Sequence, residues 1–280
     1  MSEYPTLIAV AHGTRSPAGR RQIQELAASV ARRRPGLDVR LCYVDVQEPK
    51  VADVVAGVMN ELKPRRGNHT GNSGCTRAGG HAGGGDHNGA GGGYNGAGGG
   101  DHNGAGGFHN AESDREPAAV VVPLLLSCGY HVRVDIAEAV AGTGIPVTSP
   151  LGPDDVFLES LRRNLPGRAD AIVLASAGSS DPLWVQGIRE VAAELPGRVE
   201  LGYTSGSGPR VGDVVNRLRA EGARNVAIAA YLLAEGLFYR TLHNAGADSV
   251  TPPLCQDSEV ADLVLRRFDS AILTTVGSGL

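Results

Sequence analysis

The sequence has no apolar run approaching the roughly 18 residues that a membrane helix requires; its longest, "AAVVVPLLL", is half that. No basic segment followed by an apolar stretch stands in "MSEYPT", so no secretory signal is read there and the cytoplasm is the expected compartment. Cysteine is scarce: Cys42, Cys75, Cys128 and Cys255 show neither CxxC spacing nor the density of a disulfide framework, which fits a reducing environment. Positive charge is not in excess either, and a formal charge of -4 gives no electrostatic reason to expect a nucleic-acid partner. Also missing are a Walker lysine and a G-x-G-x-x-G after the first apolar run, which removes two common phosphate-binding devices. A phosphate-binding turn made by "HGTRSP" at a helix start stays physically possible.

What is present is an ordinary globular composition, 41% hydrophobic and 20% charged over 280 residues, enough for two domains with real cores. Short apolar runs alternate with helical patterns. "TLIAVA" predicts a strand, 17–34 a helix, "DVRLCYVD" a strand and 49–62 a helix. After an interruption, "AAVVVPLLL" predicts a strand, 131–142 a helix, "IPVTSP" a short strand and 153–164 a helix, and from "AIVLAS" the rhythm restarts. Alternation of this kind predicts an α/β protein with parallel sheets covered by helices on both faces.

The restart is a repeat. "VRLCYVDVQEPKVADVV" (39–55) lies on "VELGYTSGSGPRVGDVV" (199–215) without a gap, at a constant offset of 160. "VAHGTRSP" lies on "ASAGSSDP" (175–182), and "VPLLLSCGYH" on "AYLLAEGLFY" when Gly129 is set on Gly236. Two tandem copies are therefore expected, 1–150 and 151–280, facing each other across a cleft.

Duplication supplies an internal comparison. Where the first copy has His12, Glu48 and His131, the second has Ala177, Gly208 and Phe238. All three polar positions fall just past predicted strand ends, where open parallel sheets place ligands. Two imidazoles and a carboxylate suit a divalent first-row metal. Taken singly, each has another reading: His12 as a hydrogen-bonded strand end, Glu48 as a charge favouring the following helix N-terminus, His131 as a surface residue. Their joint loss from the second copy favours a site. Cys128, three residues before His131, reads as a buried small hydrophobe, since Glu235 stands at its counterpart.

With "AHGTRSP", then Glu48 in "DVQEP", then "VPLLLSCGYHVRVDI", the chain resembles the sirohydrochlorin chelatases, the small class II metal chelatases of sirohaem and cobalamin synthesis. The resemblance spans nearly the whole chain apart from one insertion. It implies two flavodoxin-like α/β domains, a cleft for a tetrapyrrole, and metal binding by two histidines with a nearby acid, which map onto His12, His131 and Glu48. The metal, Fe(II) in preference to Co(II), is then a substrate, and no permanently bound cofactor is expected. Inserting it means removing two pyrrole N–H protons while passing the ion from protein ligands to ring nitrogens. Imidazole, mostly neutral near pH 7, can bind the ion or accept a proton. Glu48 would serve as a third ligand or proton relay. The substrate of the family is a polycarboxylate, so Arg15 and Arg133 are candidate anchors, with solvated or structurally paired arginine as the alternative. No nucleic-acid or membrane partner is expected, and the duplicated chain would act as a monomeric pseudo-dimer or as a homodimer.

Residues 67–110 stand apart. They include "GGGDHNGAGGGYNGAGGGDHNGAGGFHN", which has no apolar periodicity and predicts disorder within an insertion at about 65–116. The repeat offset drops from 160 to 107 across it, which makes it about 53 extra residues. Five of the eight histidines lie here: His69, His81, His87, His102 and His109. A Gly-rich coil of 44 residues spans roughly 35–40 Å, so the segment reads either as a metal-gathering arm or as a tolerated expansion. Two rival functions follow. A histidine phosphatase would carry R-H-G at the first strand end, and here Ala11 precedes His12. A metal storage or delivery protein would use the His/Gly segment and take up metal without altering a tetrapyrrole.

Overall fold

The computed structural model describes residues 4–62, 117–127, 129–179 and 181–277, of which Tyr130, His131, Val132, Val276 and Gly277, all in helices, are described by their backbone alone. The expectations for the insertion at about 65–116 and for Cys128 lie outside the described residues. Two parallel sheets carry the fold. The first has the order β2-β1-β3, from Thr6–Ala11 (β1), Val39–Tyr43 (β2) and Ala119–Pro123 (β3). The second has the order β5-β4-β6-β7, from Ala171–Ser176 (β4), Val199–Tyr203 (β5), Val226–Ala230 (β6) and Ser249–Val250 (β7). Each central strand, β1 or β4, is all but fully buried, as apolar runs covered on both faces must be.

Helices follow the strands: α1 (Pro17–Arg33) after β1, α2 (Val51–Leu62) after β2, α3 (Tyr130–Val140) and α4 (Asp155–Asn164) after β3. In the second half come α5 (Pro182–Glu194), α6 (Val211–Ala220), α7 (Leu237–Leu242) and α8 (Glu259–Gly277). The start of α1 is written locally. The Ser16 hydroxyl accepts from the Gly19 amide, Pro17 occupies the first turn, and Arg32 and Arg33 complement the dipole of the last turn. One expected element is smaller than its pattern suggested. "IPVTSP" makes a single parallel bridge, Val147 to Val121, at the place where the second half has the two-residue β7.

The repeat survives at the level of single hydrogen bonds. Tyr43 N–H donates to the Pro49 carbonyl at 3.0 Å and Tyr203 N–H to that of Pro209 at 2.8 Å. Leu124 N–H donates to the Val10 carbonyl at 2.7 Å and Tyr231 N–H to that of Ala175 at 2.8 Å, which confirms the offset of 107 past the insertion. Thr14 and Ser179 hydroxyls accept from the Ser16 and Asp181 amides, both at 3.1 Å, just ahead of α1 and α5.

Divided where β4 restarts the strand and helix rhythm at Ala171, the chain has α4 closing the first half and α8 the second, and these closing helices cross over. α8, at the end of the second half, packs on α1 and β3 of the first. α4 of the first half meets the second: the Phe157 ring stands edge-on to Tyr231, and Arg162 bonds Glu194 at the end of α5. Phe157 and Phe268 are both fully buried in one apolar core that includes residues of both sheets, such as Leu7, Val120, Ile172 and Leu174. Burial of side chains this size stabilises by about 1.5–3 kcal/mol each, so the crossing holds the halves together.

Candidate functional site

A cleft of about 410 Å³ opens at the C-terminal ends of both sheets. Its walls come from the segments after β1 (His12, Gly13, Thr14), β2 (Tyr43, Gln47), β3 (Leu124–Ser127) and β6 (Tyr231–Gly236), with Trp184 from α5. In both sheets this is the switch point, since β1 and β4 each have one neighbour reached in one direction and one in the other.

His12 lies in the wall, exposed, directly after the last residue of β1. Its carbonyl accepts from the Asp45 amide at 3.0 Å. Gly13 turns the chain with φ 98°, and a Cβ there would stand 2.2 Å from the Asp45 carbonyl oxygen. Both constraints demand glycine. The second half repeats the turn at Gly178, φ 95°, with 2.3 Å to the Ser205 carbonyl oxygen, but it presents Ala177 where the first presents His12. Thus the same backbone device projects an imidazole from one copy and a methyl from the other.

Glu48 does not share this wall. Its side chain is 71% exposed, 3.9 Å from the Lys50 ammonium, and it is Gln47, one residue earlier, that faces the cleft. Gln47 Oε1 accepts from the Thr14 amide at 2.8 Å, and its side chain also bonds the Tyr43 hydroxyl. Arg15 and Arg133 are exposed and make no side-chain hydrogen bond or ion pair among the described residues, so both are free to meet a ligand. The backbone of His131 stands in the first turn of α3, past the end of β3 as expected, and its side chain lies outside the described residues. Among the described residues no three His, Cys, Asp or Glu side chains converge as metal ligands.

Several wall residues were not anticipated. Ser176 replaces Ala11 of the first copy; its hydroxyl is buried in the cleft floor with no partner among the described residues, a cost of about 1–3 kcal/mol that a bound ligand can offset. Trp184 leans on Tyr203 with ring centroids 5.8 Å apart. Glu235 ends the segment after β6 and is bonded to Gln22 of α1. In the sequence, Glu235 stands out only as the counterpart of Cys128, and no pattern marks Ser176 or Trp184. The remaining wall is mainly apolar, and burial pushes the phenol of Tyr231 well above its ordinary range.

Among the described residues, no helix is long and apolar enough to cross a membrane. No curated protein matches the chain. Two solved structures share its fold over nearly the full length. One, described as SirB from Bacillus subtilis with Fe3+, is 15% identical, with 98% of each chain covered and a TM-score of 0.67. The other, the sirohydrochlorin chelatase SirB from Bacillus subtilis subspecies spizizenii in complex with cobalt, is 14% identical, with 98% of this chain and 97% of that one covered and a TM-score of 0.62. The CbiX family model matches residues 6–65, 105–166 and 171–271, the last spanning the second copy. The chain belongs to the CbiX family.

Proposed function

We propose that this protein inserts a divalent metal ion into sirohydrochlorin, with Fe(II) the favoured ion and Co(II) the alternative. The observation that carries the reading is His12, held on a glycine turn at the wall of a cleft built by both sheets, in a chain of the CbiX family. Two solved proteins of the same fold are titled SirB, one with iron and one, named a sirohydrochlorin chelatase, with cobalt, which supports the same substrate pair.

In this mechanism His12 and His131 hold the incoming ion. Imidazole bonds to labile divalent ions exchange, so the ion passes to the ring nitrogens as the pyrrole protons leave, and an imidazole released by the metal accepts a proton. The macrocycle lies against the apolar wall of Leu124–Leu126 and Leu232–Leu233, with its carboxylates reaching outward to Arg15 and Arg133. One copy carries the ligands, which gives one active site per chain, in a soluble cytoplasmic enzyme.

The test is anaerobic incubation with sirohydrochlorin and Fe(II), Co(II) or Ni(II) in separate cuvettes, followed by visible spectroscopy, with no-enzyme and His12→Ala controls. Metal-dependent spectral conversion lost in the variant supports the reading and ranks the ions. A folded protein that binds metal but accelerates no conversion would leave storage or delivery instead.

A further inference from the structure

Metal insertion removes two protons, but an imidazole nitrogen that holds the ion has already given up its lone pair. A separate base is required at the start. Among the described residues that line the cleft, the titratable groups are His12, Tyr43, Tyr231, Tyr239 and Glu235. Burial raises the phenols of Tyr43, Tyr231 and Tyr239 above their ordinary range, so near pH 7 they are protonated and accept nothing. Glu235 is the one carboxylate among the described residues of that wall.

It is also held for use. Gln22 Nε2 donates to Glu235 Oε1 at 2.8 Å, while the Glu235 amide donates to Gln22 Oε1 at 2.7 Å. α1 comes so near that a Cβ on Gly19 would stand 2.2 Å from the Glu235 carbonyl oxygen. Two bonds and a glycine contact therefore pin the segment after β6 on a helix of the other half. Oε2 is left without a partner among the described residues. Tyr239 and Cys255 stand near it, and burial raises both, the Cys255 thiol to about 12, so near pH 7 neither carries charge.

We infer that Glu235 is the base that takes the first pyrrole proton. This rests on the chelatase reading above. The pyrrole N–H bond breaks, its proton passes to Glu235 to give the carboxylic acid, and the nitrogen lone pair bonds the metal. The second proton goes to an imidazole once the ion has left it. Glu235 is thus a catalytic residue supplied by the copy that lacks the histidines.

The test uses the full chain with sirohydrochlorin and Co(II), comparing wild type with Glu235→Gln, which keeps an acceptor for Gln22, and with Gln22→Leu. Glu235→Gln is expected to lower turnover by about 100-fold or more, the usual weight of a general base. Its affinities for Co(II) alone and for sirohydrochlorin alone should stay at wild-type values, and Gln22→Leu should lose less, about tenfold, by loosening the carboxylate. Turnover of Glu235→Gln within threefold of wild type overturns the inference while leaving the chelatase reading intact. A loss of Co(II) affinity in that variant would make Glu235 a metal ligand and also overturn it. A wild-type protein that inserts no metal removes both readings together.

Discussion

The ring of Phe157 meets that of Tyr231 edge-on, centroids 6.3 Å apart at 83°, and through this contact α4 of the first half is built into the second. Tyr231 in turn lines the cleft, so the interlock and the site share a residue. Phe157→Ala should destabilise the protein by about 3–5 kcal/mol, the range for emptying a fully buried aromatic position. Urea unfolding would read this as a lower midpoint, and no change would mean that the α4 crossing contributes little.

His12 is exposed and forms no side-chain bond among the described residues, so His12→Ala should change stability by less than about 0.5 kcal/mol. Metal insertion should fall by about 100-fold or more. Paired thermal melts and spectral assays on one preparation separate the two effects.

The glycine turns form a matched pair. Gly13→Ala and Gly178→Ala should each cost about 1–3 kcal/mol, because each puts a Cβ into a carbonyl oxygen at positive φ. Only Gly13→Ala should also reduce insertion beyond what stability explains, since it shifts His12. Equal activity losses in the two variants would argue against a functional difference between the copies.

Asp257 ties the approach to α8 to α4. Burial pushes its carboxyl up, but the Glu259 amide, the Ser160 hydroxyl and the Arg163 guanidinium together outweigh this and hold it below the usual carboxylate range. A carboxyl depressed in the folded state stabilises above its unfolded value, about 3.9, and loses that contribution as pH falls through the folded one. Asp257→Asn should therefore melt below wild type at pH 7, with the gap closing below about pH 4. A gap that persists in acid would assign the effect to packing.

Arg15 and Arg133 are exposed and unpaired among the described residues, which suits carboxylate capture. Arg15→Ala and Arg133→Ala should each raise KM for sirohydrochlorin by about tenfold with kcat within twofold, an effect that shrinks as salt rises. A fall in kcat at constant KM would instead place them in the chemistry.

Much of this was legible in the linear pattern. The apolar runs at Thr6–Ala11 and Ala171–Ser176 are strands because only residues covered on both faces can be so uniformly apolar, and the equivalence of Gly13 with Gly178 held down to the carbonyl each one touches. In "DVQEP" the pattern drew attention to the charged residue, whereas the fold turns its neighbour Gln47 to the cleft and Glu48 to solvent. Which side of a short irregular loop faces inward follows from its anchor, here the Thr14 amide on Gln47, and not from residue type.

The sequence by itself determined the α/β class, the two tandem copies, their register on either side of the insertion, and the strand end that presents His12. Those are local or self-referential properties, written in apolar periodicity, caps and the match of one half to the other. The tertiary structure alone decided that α4 and α8 cross between the halves, and that Glu235 of the second copy comes to the same wall as His12 of the first. Amphipathic helices such as α4 and α8 present similar apolar stripes, and nothing in a stripe says which of two sheets it will cover. That choice belongs to the packing of the whole core, where Phe157 and Phe268 find their cavities only across the boundary between the copies.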